Sequence, residues 1–255
     1  MSKPRNYQTE AIIIKKTKLG EADRILTLYT PHMGKIQAVA KGVRRPRSKM
    51  SGHLEMLTHS LVSLVRGRNL DTIIGTKTIN SFLPLKNDLW LTSCGLYCTE
   101  LVNQFTADHI ENYPLFQLML ETMHELSRAE DNDLILRYFE LHLLNEVGYR
   151  PQLQHCVFCR LPLKPTTNSF CSSAGGMLCS NCSRSQPFTR LVSVDAQKVL
   201  RWLQNSDYDT VSKQKITPEL SRETEGVMRG YLKYLLEREV KSATWLDTLR
   251  EREIV

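Results

Sequence analysis

Apolar and polar residues alternate in short runs over the first third of the chain, rather than recurring with a helical period. This alternation predicts half-buried β-strands, and turn signals such as Pro31–Gly34 (PHMG) separate the runs. The predicted strands are Tyr7–Lys16, Arg24–Thr30, Lys35–Ala40, Thr58–Arg66 and Asp71–Asn80. Five short strands without an intervening helix pattern predict a small closed antiparallel barrel, because closure removes exposed sheet edges. An OB-fold and an SH3-like barrel both fit this pattern.

In the middle of the chain the apolar spacing changes to that of amphipathic helices. Helices are predicted over Asn87–Phe105, over Leu115–Leu126, and over Leu134–Val147 with a stop at Gly148. Residues 84–150 hold 4 basic and 11 acidic residues, a net charge of −7. This region is therefore predicted to support the fold or to meet a protein partner, and not to contact a phosphate backbone.

Two further helices are predicted towards the C-terminus. One is Val194–Leu203, capped by Ser193, and the other starts at Thr217-Pro218, where proline occupies the first helical position. The buried side of the second helix is predicted to hold Val227, Tyr231, Tyr234, Leu235 and Leu236. The tail from Ser242 onward is predicted to be weakly ordered or docked at an edge.

Charge is distributed very unevenly along the chain. The formal net charge is +7, yet residues 1–80 carry 15 Lys+Arg against 5 Asp+Glu and the rest carries 19 against 22. The positive excess is densest in KGVRRPRSK, residues 41–49, which contains no carboxylate. A field concentrated on one predicted domain favours a polyanionic partner, nucleic acid above all, over the alternative of a solvated surface loop.

The predicted nucleic-acid contacts are cations of the barrel. The loop supplies Lys41, Arg44, Arg45, Arg47 and Lys49, and the helpers are Arg24, Lys35, Arg66 and Arg68. The only aromatic residues of the predicted strands are Tyr7 and Tyr29, and both are predicted to pack in the barrel rather than to stack on bases. Binding should therefore depend on phosphate contacts and on salt. If the five loop cations each contact one phosphate of a single strand, the plot of log binding constant against log salt concentration should steepen by about 3.5.

The composition is that of an ordinary globular protein. Of its residues, 41% are hydrophobic and 24% charged. The length of 255 residues is enough for about two domains. No apolar run is long enough to span a bilayer, and the start MSKPRNYQTE lacks the apolar core of a secretory signal, so a cytoplasmic location is expected. In a reducing compartment, paired cysteines favour a metal over disulfides.

Four of the seven cysteines form two Cys-x-x-Cys pairs, Cys156/Cys159 and Cys179/Cys182, separated by 19 residues. This spacing predicts one structural zinc ion held by four thiolates, with no coordination position left for water or substrate. Cys171 and His155 are spare candidates that could replace a ligand. Gly175-Gly176 predicts a tight turn before the second pair, whereas Cys94 and Cys98 share a helix face and are predicted to be buried packing residues.

The N-terminal run GEADRILTLYTPHMGKIQAVAKGVRRPRSK, after a TEAIIIK strand, resembles the RecO family of bacterial recombination mediators. The shared features are an acidic-polar turn before a strand, the Thr30–Gly34 turn, and an Ala-Lys-Gly step into the basic loop. The resemblance implies an OB-fold barrel, and it extends to the cysteines, since many RecO-like proteins carry a four-cysteine zinc knuckle in the helical domain. It also implies annealing of single-stranded DNA, and work with RecR and single-stranded-DNA-binding protein to load RecA.

The sequence thus predicts an α+β multidomain protein with an OB-fold at residues 1–80, a helical domain at 81–150 and 187–255, and a zinc-binding insertion at 151–186. The expected function is non-enzymatic binding of single-stranded and double-stranded DNA in recombinational repair. An RNA-binding or ribosome-associated zinc protein is the alternative. A zinc deaminase is disfavoured, because the His53-Leu54-Glu55 match lies about a hundred residues from cysteine pairs that lack the expected preceding proline. A hydrolase or nuclease would need a nucleophile elbow, a phosphate loop or an acidic cluster in the basic domain, and none is present.

Overall fold

A computed structural model describes residues 5–253 of the chain. The first four residues of the predicted N-terminal domain and the last two of the predicted helical domain lie outside the described residues. By packing, the chain divides into two compact units. The first comprises the described residues within Met1–Ser127 and Trp245–Val255, and the second comprises Arg128–Thr244. The domain boundaries at residues 1–80, 81–150 with 187–255, and 151–186 remain predictions.

Five strands form the N-terminal barrel. They are β1 (Asn6–Leu19), β2 (Asp23–Thr30), β3 (Gly34–Ala40), β4 (His59–Val65) and β5 (Asp71–Asn80). The strand order is β1-β2-β3-β5-β4, closed on itself. The first half of β1 pairs with β4 and the second half with β2, and a short parallel pairing of β3 with β5 completes the closure. The prediction of a closed five-stranded barrel of the OB type is therefore confirmed.

The barrel interior is filled by aliphatic side chains from all five strands, including Ile13, Leu26, Leu28 and Val62. The β2–β3 turn is fixed by Thr30, whose hydroxyl donates to the Gly34 carbonyl at 2.9 Å and accepts from the Met33 amide at 3.1 Å. Gly34 has φ +60°, and a Cβ there would lie 1.9 Å from the Ile110 carbonyl oxygen. Glycine is therefore required at this turn for both conformation and space.

Three helices that follow the barrel in the sequence pack beside it. They are α1 (Leu83–Lys86), α2 (Leu89–Phe105) and α3 (Tyr113–Glu125). Side-chain oxygens of Asp88 and Asn112 cap α2 and α3 by accepting amide hydrogen bonds. Cys94 and Cys98 of α2 are fully buried, which confirms their prediction as packing residues.

The second unit has a helical core and a small sheet. Its helices are α4 (Asn132–Glu146), α5 (Ser180–Ser183), α6 (Val194–Asn205), α7 (Tyr208–Val211) and α8 (Pro218–Leu236). Its strands are β6 (Asn168–Cys171), β7 (Gly176–Leu178) and β8 (Thr189–Val192), in the order β7-β6-β8. The sequence predicted the longer helices and the Ser193 cap, which accepts from the Ala196 amide, but it did not predict this sheet.

At the C-terminal end, one prediction needs correction and the structure selects between the alternatives of another. Tyr234 is 50% exposed. The buried apolar residues of α8 are Val227, Met228, Tyr231 and Leu232, and Tyr234 lies about 90° from the middle of that strip. The tail after Ser242 is part of a helix, α9 (Lys241–Glu253), and the Trp245 indole donates to the Ser93 hydroxyl at 3.1 Å. The tail is therefore docked, as one of the two alternatives predicted. Within the described chain, no helix is long and apolar enough to cross a membrane.

Candidate nucleic-acid interface and metal centre

The loop between β3 and β4 is anchored to the β1–β2 turn. The Gly42 amide donates to Asp23 Oδ1 at 2.7 Å, and the Arg44 amide donates to the Ala22 carbonyl at 3.0 Å. Val43 is buried between these two bonds. The loop therefore has a fixed root, and its charged side chains are presented from that root.

The five loop cations chosen from the sequence are all exposed. They are Lys41, Arg44, Arg45, Arg47 and Lys49. Arg44 Nη1 donates to the Gly20 carbonyl at 3.2 Å, which orients the side chain without neutralising its charge. Across residues 5–253, none of the five forms an ion pair with a carboxylate, so the loop presents uncompensated positive charge to solvent.

The four helper cations occupy different places in the first unit. Arg24 faces Ala40 across the β2–β3 pair, directly beside the root of the basic loop. Arg66 and Arg68 are exposed on the β4–β5 turn, and Val65, just before them, pairs with Asn6 at the start of β1. In an OB-fold the loops between strands 1 and 2 and between strands 4 and 5 both border the nucleic-acid-binding face.

Lys35 is engaged inside the protein. Its side chain is only 11% exposed, and Nζ donates to the carbonyls of Asn103 and Thr106 at 2.8 and 2.6 Å. Asp108 Oδ1 lies 3.4 Å away. These acceptors belong to the C-terminal end of α2 and the segment after it, where helix carbonyls lack intrahelical partners. Lys35 therefore joins α2 to the barrel and is not part of the exposed basic surface.

The barrel tyrosines are packed, as predicted. Tyr29 is fully buried and its ring centroid lies 6.4 Å from that of Phe116. The Tyr7 hydroxyl donates to the Asp71 carboxylate, and the Arg66 guanidinium covers the Tyr7 ring at 4.6 Å from its centroid. Burial, followed by the bond to Asp71, raises the pKa of Tyr7. Neither ring is a free platform for a base.

The four cysteines of the two Cys-x-x-Cys pairs come together in the second unit. The Sγ atoms of Cys156, Cys159, Cys179 and Cys182 all lie within 4.8 Å of one another, and Cys159 Sγ is 3.9 Å from Cys179 Sγ. Tetrahedral coordination with Zn–S bonds of about 2.3 Å places the sulfurs about 3.8 Å apart. The donor set and spacing therefore fit a four-thiolate zinc site, and a carboxylate is absent from residues 151–194.

Local backbone geometry explains how the pairs converge. The Arg160 amide donates to the Cys156 carbonyl at 3.0 Å, and Arg160 adopts the left-handed conformation, φ +63°, that closes the first turn. Cys179 is the residue immediately before the short helix α5, so Cys182 follows it by about one helical turn. Gly175 has φ +67° in the tight turn predicted before the second pair.

The environment of Cys156 favours its thiolate form. Burial alone would raise the pKa of Cys156, but amide hydrogen bonds from Cys179, Cys159 and Phe158 outweigh burial and lower the pKa to about 6. Metals bind the thiolate. The spare candidates lie outside the group of four: Cys171 Sγ is 3.2 Å from the Ser173 hydroxyl, and His155 is exposed.

Two family models match nearly the whole chain. One described as "Recombination protein O N terminal" matches residues 1–82, and one described as "Recombination protein O C terminal" matches residues 86–244. The chain belongs to the RecO family. A protein named DNA repair protein RecO from Dehalococcoides mccartyi (strain CBDB1) is 44% identical over 250 residues, 98% of each chain. The protein of the same name from Roseiflexus sp. (strain RS-1) is 38% identical over 97% of this chain and 87% of its own.

The sequence did not identify Lys16 as a site residue of this RecO-family barrel. Lys16 pairs with Leu26, and Lys18 with Arg24, so each pair shares a face of the sheet. Since Leu26 belongs to the barrel core, Lys16 points inward at the barrel end near the basic loop. Its side chain is 12% exposed and donates to the Glu55 carboxylate.

The residues of the deaminase-like match, His53 and Glu55, do not belong to the cysteine cluster. Nδ1 of His53 lies 2.7 Å from the Thr78 hydroxyl.

Proposed function

We propose that this RecO-family chain is a non-enzymatic DNA-binding mediator of recombinational repair. The observation that supports it best is the basic loop at residues 41–49: five exposed cations without carboxylate partners, on a barrel of the OB type. Such a surface attracts sugar-phosphate polymers through counterion release. Because the barrel tyrosines are packed, single-stranded DNA is held mainly by phosphate contacts and with weak sequence preference.

The proposed mechanism is electrostatic annealing. Lys41, Arg44, Arg45, Arg47 and Lys49 form the main contact, and Arg24, Arg66 and Arg68 extend it. Two complementary strands repel each other through their phosphates, and a surface that neutralises part of both charges lowers the cost of bringing them together. The same phosphate contacts serve double-stranded DNA, because they do not read base edges.

The four-cysteine cluster holds one zinc ion with a structural role in this proposal. A closed four-thiolate shell offers no position for a reacting water. The surrounding segment is tied to the helical core of the same unit, since Arg201 Nε donates to the Leu153 carbonyl at 2.7 Å and Gln204 donates to the Pro151 carbonyl at 3.0 Å. Zinc binding therefore stabilises the second unit.

Membership of the RecO family supports the proposal for the partners. We propose that the protein acts at the bacterial nucleoid with RecR and single-stranded-DNA-binding protein, and that it contributes to RecA loading indirectly. A direct test is RecA filament formation on DNA coated with the single-strand-binding protein, measured with and without this chain and RecR. Absence of stimulation in a reaction that contains all components would contradict this part of the proposal.

The DNA interface is tested by reversing Arg44, Arg45 and Arg47 to Glu. We expect weaker binding to single-stranded DNA and a log–log salt slope that is flatter by about 2, at roughly 0.7 per phosphate contact. The matched control reverses Lys198, Arg222 and Lys233 to Glu, three exposed side chains of the second unit. Both variants change the net charge equally, so an equal loss of affinity would show that the loop is not the contact.

Competition between nucleic acids separates this function from RNA binding. Single-stranded DNA and RNA of the same sequence compete for the protein at one fixed salt concentration. The proposal expects DNA to compete at least as well as RNA, whereas a clear preference for RNA would favour an RNA-binding role. Annealing is then measured with two complementary labelled strands, and it should decrease in the loop variant in proportion to its DNA affinity.

A further inference from the structure

A small cavity lies at the end of the barrel, at the root of the basic loop. Its volume is about 130 Å³, and it is partly open to solvent. It is lined by residues from β1, β2, the loop and the 3-10 turn Ser51–Leu54 that follows the loop. These residues are Lys16, Arg24, Leu26, Val43, Ser51, Leu54 and Glu55.

Arg24, one of the residues that line the cavity, carries an unused donor. Arg24 Nε is buried and has no hydrogen-bond partner among the described residues. A buried N–H without an acceptor carries a desolvation penalty, so it marks a place where a ligand acceptor would be favourable. Lys16 and Glu55 already pair with each other, which leaves the guanidinium of Arg24 as the unpaired charge of the wall.

The size and charge of the cavity select a small anion. A cavity of about 150 Å³ is known to hold benzene, a molecule of six non-hydrogen atoms, so this one accommodates a phosphate group but not a nucleoside. A guanidinium N–H and a phosphate oxygen form a charge-assisted hydrogen bond. An internal phosphodiester carries a sugar on each side, whereas a terminal phosphate monoester has only one bulky substituent and can enter a pocket end-on.

We propose that this cavity binds the terminal phosphate of a DNA strand, with the Arg24 guanidinium as the principal donor. The inference rests on the proposed function. Val43 lines the cavity and belongs to the basic loop, where it follows Gly42, which is bonded to Asp23, and precedes the exposed cation Arg44. A strand whose backbone follows the loop would bring its end to the cavity mouth. The site therefore distinguishes phosphorylated strand ends from hydroxyl ends.

The test compares short single-stranded oligonucleotides of one sequence that carry a 5′-phosphate, a 3′-phosphate or hydroxyl groups at both ends. We expect at least one phosphorylated form to bind about tenfold more tightly than the hydroxyl form, the gain from one hydrogen bond between charged groups. A hydroxyl-ended oligonucleotide one nucleotide longer controls for the additional charge. Equal affinity of all these forms would overturn the proposal.

Two variants locate the effect. Arg24→Gln should reduce the ratio between phosphorylated and hydroxyl ends to that of the charge control, whereas Arg47→Gln, in the same loop region, should weaken both forms and keep the ratio. A ratio that persists in Arg24→Gln would show that the cavity is not the site.

Inorganic phosphate gives a readout that is independent of DNA binding. In ¹H–¹⁵N spectra of the full chain, the Nε–Hε resonance that disappears in Arg24→Gln should shift on addition of phosphate, and other arginine resonances should shift less. If hydroxyl-ended DNA fails to bind at all, the proposed function is wrong, and this titration still decides the cavity. An unshifted Arg24 resonance at saturating phosphate would contradict the site.

Discussion

Asp23 Oδ1 accepts a 2.7 Å hydrogen bond from the backbone amide of Gly42, so a carboxylate is used to anchor the basic loop rather than to neutralise it. The loop leaves β3 directly after Ala40, and this bond ties its first turn to the start of β2. Among the described residues, none of the loop cations that follow forms an ion pair with a carboxylate. A positive loop can therefore be both ordered at its root and free to contact phosphates.

Removing this anchor should loosen the loop. In Asp23→Ala the amides of Gly42 and Arg44 should exchange with solvent faster, because the first loses its acceptor and the second depends on the same turn for its bond to Ala22. Asp23→Asn keeps an acceptor oxygen at the same place and should change exchange less. Hydrogen exchange resolved at single amides measures the difference. Equal exchange in all three proteins would show that the bond does not hold the loop.

The cysteine cluster predicts one zinc ion per chain. Purified, reduced protein should contain one equivalent by elemental analysis, and Cys179→Ser should lose it together with solubility, because three thiolates leave the tetrahedral shell incomplete. Cys171→Ser is the control, since Cys171 lies outside the group of four and contacts Ser173. Zinc-free wild-type protein after careful reduction, or zinc lost equally in both variants, would refute the assignment.

Lys35 should contribute to stability rather than to DNA binding. In Lys35→Met the carbonyls of Asn103 and Thr106 lose a charged donor, which should lower the free energy of unfolding by about 2 kcal/mol. Lys77→Met, an exposed position on β5, should change it by no more than about 0.5 kcal/mol. Urea denaturation measures both, and the DNA affinity of the two variants should be similar. A selective loss of DNA binding in Lys35→Met would return Lys35 to the interface.

A buried charge network in the second unit should be sensitive to loss of its cation. Arg137 Nε donates to Glu140 at 2.8 Å, and Arg137 Nη1 lies 3.6 Å from Glu225, which also accepts from Arg229 at 2.8 Å. Arg137→Leu removes the guanidinium that pairs with the buried Glu140 carboxylate, and should cost about 3–5 kcal/mol.

The comparison for that network is a solvent-exposed pair in the same unit. Lys198→Ala removes an ion pair with Asp195 whose side chains are 68% and 74% exposed, so the expected loss is below about 1 kcal/mol. Urea unfolding of both variants, followed by circular dichroism, gives the two values. Similar small losses in both variants would contradict the prediction that the buried charges depend on Arg137 for stability.

Sequence reasoning recovered the barrel because turns and strands alternate within it at short range. The structure gives β5 the predicted bounds, Asp71–Asn80, and the other strands differ by three residues or fewer at each end. The alternation of polar and apolar residues within a strand does not by itself show which residues face inward. The register shift between Ile13 and Lys15 reverses the alternation, so Lys16 faces the core where unbroken alternation from Ala11 and Ile13 would turn it outward.

The second unit was predicted less completely for a different reason. Strands β6, β7 and β8 have only four, three and four residues, too few to show a period, and they are held by pairing across the cysteine segment. The cysteine ligands were nevertheless predictable, because coordination fixes their spacing in the sequence. The cavity at Arg24 was not, since it is formed by the packing of residues that are distant in the sequence.

The lowered pKa of His142 predicts that the second unit loses stability as the pH falls. Burial lowers the pKa of His142 most, the hydrogen bond to the Leu203 carbonyl partly opposes this, and Arg150 lowers it further. The unfolded chain therefore takes up a proton near pH 6.5, where the folded imidazole still resists it. The contribution is fully present above that pH and is lost as the pH falls towards the lower folded pKa.

The experiment measures the free energy of unfolding at pH 7.5 and 5.5 for wild type and His142→Gln, whose amide can still donate to Leu203. We expect a smaller difference between the two pH values in the variant. Protonation of the cysteines affects both proteins alike and so cancels in the comparison. Substitution of the exposed His109 by Gln should leave the wild-type difference intact. If His142→Gln also retains the full difference, the pH dependence arises from other groups.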